Sequence, residues 1–441
     1  MTASRRALLP LAAMLAAGCT VMNRLDVCID APSDTRVNER GDQFEFASHP
    51  RAAAALSNGR VLVVFSAQTW EEDTGTVLTS EVRIALLELG SGDRLTVCNT
   101  GDRDRTISEP GTYAFGASVT PVDLMIGGNK AVALVAWTEG AALPSSTVRM
   151  RFVDGAGCPL ALAFRSYAGP AIAGSIEWSE QRHAVLATVH DVRSVYRTWV
   201  DAASASEPLL LATSPDQVYG FPQAALAPDG TAVVTWSEMG AGLRGILLDA
   251  DGNPRPAAPA GGQAVPFPIE FPAMPQGDFS SWIGRIAARD DRFAIAVEQR
   301  PAATERSGVA RTLARELTLD AASLGPAFLL DGSDSAAQAG PPALAYGPGE
   351  TLVAAWEARA ASGTVVRLFG DGGAPRFNAI TCDDRRFAVG TRAETMVGWS
   401  SVLVEKDHVF VVHNGEGAAD PRGTATFAWN VAFSDLWPGP Q

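Results

Sequence analysis

Several chemistries are missing from this sequence. Its five cysteines contain no C-x-x-C pair, which excludes the common thiolate zinc sites and thioredoxin-like redox chemistry. No G-x-S-x-G is present, so a serine nucleophile on a strand-to-helix elbow is not expected. The five histidines, His49, His183, His190, His408 and His413, show no metal-ligand spacing. Basic charge is scarce: the net charge is -14 and the pI about 4.9, so a phosphate backbone would be repelled and no nucleic-acid partner is expected. Beyond the N-terminal segment no apolar run reaches eighteen residues, and no stretch of twelve shows a firm 3.6-residue period. What remains is an apolar chain rich in turn formers, with 42 glycines and 28 prolines. That composition suits many short strands.

The start of the chain has the pattern of an export signal. Arg5 and Arg6 form a positive region, and Ala7 to Ala17 an apolar one too short to span a bilayer. Leu15-Ala16-Ala17-Gly18-Cys19 resembles a bacterial lipobox, with Ala16 where leucine is usual. The resemblance implies cleavage before Cys19 and acylation of that residue, which anchors the protein in a membrane. Thr20 in place of Asp implies the outer membrane. Ser4-Arg5-Arg6-Ala7-Leu8-Leu9 is also similar to a twin-arginine export motif. The expected organisation is a signal peptide over 1–18, a tether over 19–42 and one body over 43–441. Cys28, Cys98, Cys158 and Cys382 remain as disulfide candidates in an exported chain, with three possible connectivities.

The body repeats. Ala224 to Gly252 reads as three strands with turns at Asp229-Gly230 and Asp251-Gly252. Its second strand, Thr231 to Trp236, has six relatives: Arg60–Phe65, Ala131–Trp137, Ala184–Val189, Phe293–Val297, Thr351–Trp356 and Val409–His413. Their last residues are separated by 47 to 72 positions, a period near 58. The third strands carry Arg83, Arg149, Arg197, Arg244, Arg311 and Arg367, and the last copy, Thr424–Trp429, has none. Second strands apolar on both faces indicate covered sheets. Seven such units predict an all-β fold, a seven-bladed β-propeller, over a β-sandwich pair.

The blades resemble sialidase and Asp-box propellers, most clearly at Pro228-Asp229-Gly230-Thr231…Trp236, although Ala227 replaces the usual Ser or Thr. A sialidase of this kind implies an arginine cluster, a tyrosine nucleophile and a paired glutamate. The Arg-Ile-Pro signature is absent, since Arg285-Ile286 precedes Ala287. The recurrent arginines are expected to serve the repeat, and Trp137, Trp236 and Trp356 to wedge between blades. Glu139 and Glu238 are expected at solvated strand ends, with a cation-binding ring as the alternative. No cofactor is expected; Asp249-Ala-Asp251-Gly252 and Asp331-Gly-Ser-Asp334 are turns that could at most take calcium. The segment 253–281 holds seven prolines with Phe267, Phe271, Met274 and Phe279 between them. It is expected to stay out of the sheet ladders and either pack on the body or serve as a contact loop.

These features together predict an envelope-anchored lipoprotein whose propeller is a non-enzymatic binding or scaffolding module for a protein or glycan. The alternative is a glycan-active hydrolase or lyase on the same fold. Unlike polar residues from several blades converging on the axis would decide for the enzyme; an axis lined by small and apolar residues would decide against it.

Overall fold

The computed structural model describes residues 35–37, 44–46, 49, 51–70, 77–140, 146–160, 165–166, 171–215, 217–238, 242–272, 279–283, 285–301, 310–331, 341–358, 363–381, 387–389, 400–416 and 424–437. The chain is a seven-bladed β-propeller of seven antiparallel sheets. All seven expected second strands are present, each paired between an inner and a third strand. The inner strands run along blades 1 to 7 as Ala53–Ala55, Ala114–Ile126, Ile172–Ser179, Val218–Leu226, Ala287–Ala288, Ala343–Gly347 and Ser401–Glu405. Each packs on the next, and the seventh packs on the first, so the ring is closed.

Closure pairs an early segment of the chain with a late one. Thr35–Arg36 forms the outer strand of blade 7, pairing with Thr424–Ala432. Val37 donates its N–H to Thr426 O at 2.8 Å and is fully buried. The expected tether over 19–42 is therefore corrected, because part of it belongs to the last blade. Because the same stretch of chain continues toward Phe44–Phe46 of blade 1, this pairing latches the last blade to the first.

The core lies between blades, where apolar side chains from both faces of the second strands interdigitate. Trp137, Trp236, Trp356 and Trp429 are fully buried there. The proline-rich segment also needs correction. Phe267–Pro268 pairs with Arg244 and Gly245 as the outer strand of blade 4, an edge position that proline tolerates. Phe267 is buried and half-buried Phe271 packs against the same cluster, so both serve packing. Phe279 lies on an inner strand of blade 5, and Met274 is outside the described residues.

Candidate functional site

The inner strands are not regular. Blade 1 pairs Phe44–Phe46 and Ala53–Ala55 with the same second strand, and the chain breaks from the ladder between them. Blade 5 does the same between Phe279–Ile283 and Ala287–Ala288. The inner strand of blade 3 shifts register between Ala173 and Ile176, and that of blade 4 between Tyr219 and Gln223. Such interruptions re-aim side chains. Each of the four carries polar residues: His49 and Arg51 in blade 1, Glu177 just after the bulge in blade 3, Gln223 in blade 4, and Arg285 in blade 5.

Arg51, Glu177 and Arg285 meet on the axis. A cavity of about 260 Å³ is lined by all seven inner strands, mostly with alanine, leucine and valine. Its charged lining is Arg51, Glu177, Arg285 and Glu405. Arg51 Nη2 pairs with Glu177 Oε2 at 2.5 Å, and Arg51 Nη1 donates to Ile176 O. Arg285 Nη1 donates to Val402 O on blade 7. The Arg51 N–H donates to His49 Nδ1 at 3.1 Å, which leaves Nε2 as the protonated ring nitrogen of neutral His49. The Gln223 amide lies 3.3 Å from Nε2, and the imidazole packs edge-on against Phe221 at 5.0 Å.

The electrostatics follow from burial. The His49 imidazole is pushed down to about 3, first by burial and then by Arg51 and Arg285, so it is uncharged at neutral pH. Burial also lowers Arg285, to about 9, with Arg51 adding to the effect and Glu177 opposing it. It stays cationic. Burial pushes the Glu177 carboxyl up against the opposing pull of Arg51 and Arg285. Two guanidinium groups therefore share one close carboxylate in a poorly solvated chamber, where charges act strongly. Such an arrangement can hold an oxygen-rich ligand and present a carboxyl whose proton is less firmly lost than in water.

The residues singled out by sequence stand elsewhere. Trp137 Nε1 donates to Glu139 Oε1 at 3.0 Å, and Arg149 Nε donates to Glu139 Oε2 at 2.9 Å. Trp236, Glu238 and Arg244 repeat this at 2.8 and 3.4 Å. Glu139 and Glu238 are buried links within their blades, which corrects their expected solvation. The recurrent arginines share one register in three blades only: Arg83, Arg149 and Arg244 stand opposite Phe65, Trp137 and Trp236. Arg311 and Arg367 are displaced by two residues and Arg197 by one, which turns Arg197 to the other face. Asp249 Oδ1 accepts the N–H groups of Asp251 and Asn253 and closes a turn. Among the described residues no three His, Cys, Asp or Glu side chains are grouped to hold a metal. Cys98 and Cys158 are adjacent free thiols; Cys19, Cys28, Cys382 and Asp334 lie outside the described residues.

The axial set does not recur from blade to blade, so no period marks it. A usable signal was present at two of the breaks, where Gly174 and Pro222 stand within three positions of Glu177 and Gln223.

No family model and no curated protein matches the chain. Solved structures do. An α-L-arabinanase of Penicillium chrysogenum complexed with arabinobiose aligns with TM-score 0.47 and 9% identity over 93% of this chain and 100% of that one. A GH93 α-L-arabinofuranosidase of Fusarium graminearum with arabinobiose aligns with TM-score 0.48 and 11% identity over 92% and 99%. A subtype N10 neuraminidase-like protein of A/little yellow-shouldered bat/Guatemala gives TM-score 0.41 and 12% identity over 77% and 96%. At these identities the likeness shows the propeller fold. The expected non-enzymatic binding or scaffolding role is corrected here to its alternative: the solved structures that align include an arabinanase and an arabinofuranosidase, and the mostly apolar axial cavity carries unlike charged side chains, Arg51, Glu177, Arg285 and Glu405, from four blades.

Proposed function

We propose that this protein is a glycan-active hydrolase whose reaction takes place in the axial cavity. The observation that carries the reading is the meeting of Arg51, Glu177, Arg285 and Glu405, from four blades, in one chamber, with buried His49 and Gln223 beside Arg51. Glycoside hydrolysis commonly uses two carboxyl groups, one donating a proton to the leaving oxygen and one acting as base or nucleophile. Glu177, raised by burial, is the proton donor in this reading, and Glu405 is the second carboxylate. Arg51 and Arg285 hold sugar oxygens, and neutral His49 fixes the backbone at Arg51. The test is reducing-end release from a panel of soluble and envelope glycans, arabino-oligosaccharides included, by the body after Cys19. Release from at least one glycan, lost in Glu177→Gln, supports the proposal; no release from any of them contradicts it.

The lipobox supports a second part of the proposal: export, acylation at Cys19, and display on the outer membrane. Cys19→Ser should move the protein from the membrane to the soluble fraction. Unchanged membrane partitioning would place the anchor elsewhere.

A further inference from the structure

We propose that Cys98 and Cys158 form a disulfide that ties blade 1 to blade 2. Cys98 lies in the loop between Arg94–Leu95 and Asp104–Thr106 of blade 1. Cys158 lies in the turn after Thr147–Asp154 of blade 2. The two segments are locked together. The Cys98 N–H donates to Ala156 O at 2.8 Å, and its thiol donates to Gly157 O at 3.2 Å. Asp154 Oδ1 accepts the N–H groups of Ala156 and Cys158 at 2.9 and 2.8 Å and fixes the turn. A Cβ on Gly157 would sit 2.8 Å from Val97 Cγ1, so the approach is close enough to require glycine.

The thiols themselves are in contact. The Cys158 thiol is pushed up to about 12, first by burial, next by a hydrogen bond with Cys98, and then by the charges of Asp154 and Cys98. Cys98 holds left-handed backbone at φ 55°, a conformation uncommon for a residue other than glycine or asparagine and kept where the surroundings enforce it. Both cysteines are half-buried, so a small oxidant reaches them. The pairing selects one of the three connectivities and leaves Cys28 and Cys382 as the other two thiols.

The oxidant is a second disulfide, such as oxidised glutathione. One protein thiol loses its proton to solvent, and the thiolate attacks a glutathione sulfur and expels one glutathione thiolate. The other protein thiol then loses its proton and attacks the mixed disulfide, expelling the second. Two protein S–H bonds are replaced by one S–S bond, and glutathione disulfide is reduced to two thiols.

The test is peptide mapping of the full chain equilibrated with oxidised glutathione, alkylated, and digested without reductant. Tryptic peptides 95–103 and 152–165 should appear as one species, two hydrogens lighter than their sum and separated by reductant. The bond closes a loop of roughly 60 residues, so reductant should lower the wild-type unfolding midpoint by about 5 °C and leave Cys98→Ser unaffected. Recovery of both peptides alkylated, or either one linked to Cys28 or Cys382, overturns the proposal. The mapping uses the wild-type chain and does not depend on the variant folding.

Discussion

Two tryptophans at equal repeat positions show how much a single hydrogen bond decides. Trp236 and Trp356 are both fully buried, but the Trp236 indole N–H is bound by Glu238 while Trp356 Nε1 has no partner among the described residues. Replacing each by Phe removes similar volume. Trp236→Phe also leaves a buried carboxylate short of a donor, which costs about 1–3 kcal/mol beyond the packing loss. Trp356→Phe removes an orphaned donor and should cost less. Thermal unfolding of the two variants checks this; an equal or reversed order would mean that Glu238 finds another donor. His49 gives a second residue-scale prediction. An unfolded histidine binds its proton near 6.5, whereas His49 in the fold binds it only near 3. The unfolded chain therefore holds more protons between those values. The stability from neutral His49 is complete above about pH 6.5 and is lost as pH falls toward 3, by an amount on the order of 4 kcal/mol. Unfolding midpoints of wild type and His49→Asn across that window test it. The wild type should show the steeper decline, and parallel curves would contradict the buried neutral state.

At the scale of elements, the breaks in the inner strands matter more than the strands. The bulge at Gly174-Ser175 is bonded on every side. Ser118 Oγ donates to Gly174 O at 3.2 Å, the Ala224 N–H donates to Ser175 Oγ at 2.6 Å, and Thr188 Oγ1 donates to Ser175 O at 3.0 Å. Blades 2, 3 and 4 thereby hold the segment that places Ile176 and Glu177 against Arg51. A Cβ at Gly174 would clash with Thr188 Oγ1 and the Pro222 backbone. Gly174→Ala should therefore destabilise the fold by about 2 kcal/mol and lower activity more than stability alone accounts for. Full retention of both would show that the bulge relaxes freely. The second strands were legible in the sequence because their apolar runs recur with flanking turns, and period is a property that a single sequence displays. The bulges were not, because a register shift depends on which neighbour a strand packs against. The same reason explains the proline-rich segment: a two-residue outer strand such as Phe267–Pro268 has no period to read, and its place comes from the edge left open by Arg244 and Gly245.

At the scale of the whole molecule, the propeller's order and the proposed chemistry come from different residues. The repeat, including the Trp-Glu-Arg links of blades 2 and 4, builds blades and lies away from the axis. The axial residues occur once each: Glu177 in an inner strand of the sequence Ile-Ala-Gly-Ser-Ile-Glu-Trp-Ser, and Arg285 just before the short strand at Ala287. Nothing in the sequence places them together, since 51, 177, 223 and 285 come from four blades and meet only when the ring closes.

The most direct measurement of the central claim is kcat for glycosidic bond cleavage by Glu177→Gln relative to wild type, with thermal unfolding as the control for folding. A side chain that donates a proton in the transition state contributes on the order of 100- to 10,000-fold. The account predicts a loss of at least about 100-fold in kcat with an unfolding midpoint close to wild type. Wild-type kcat in a folded Glu177→Gln protein would contradict it, and would place any glycan cleavage outside the axial chamber.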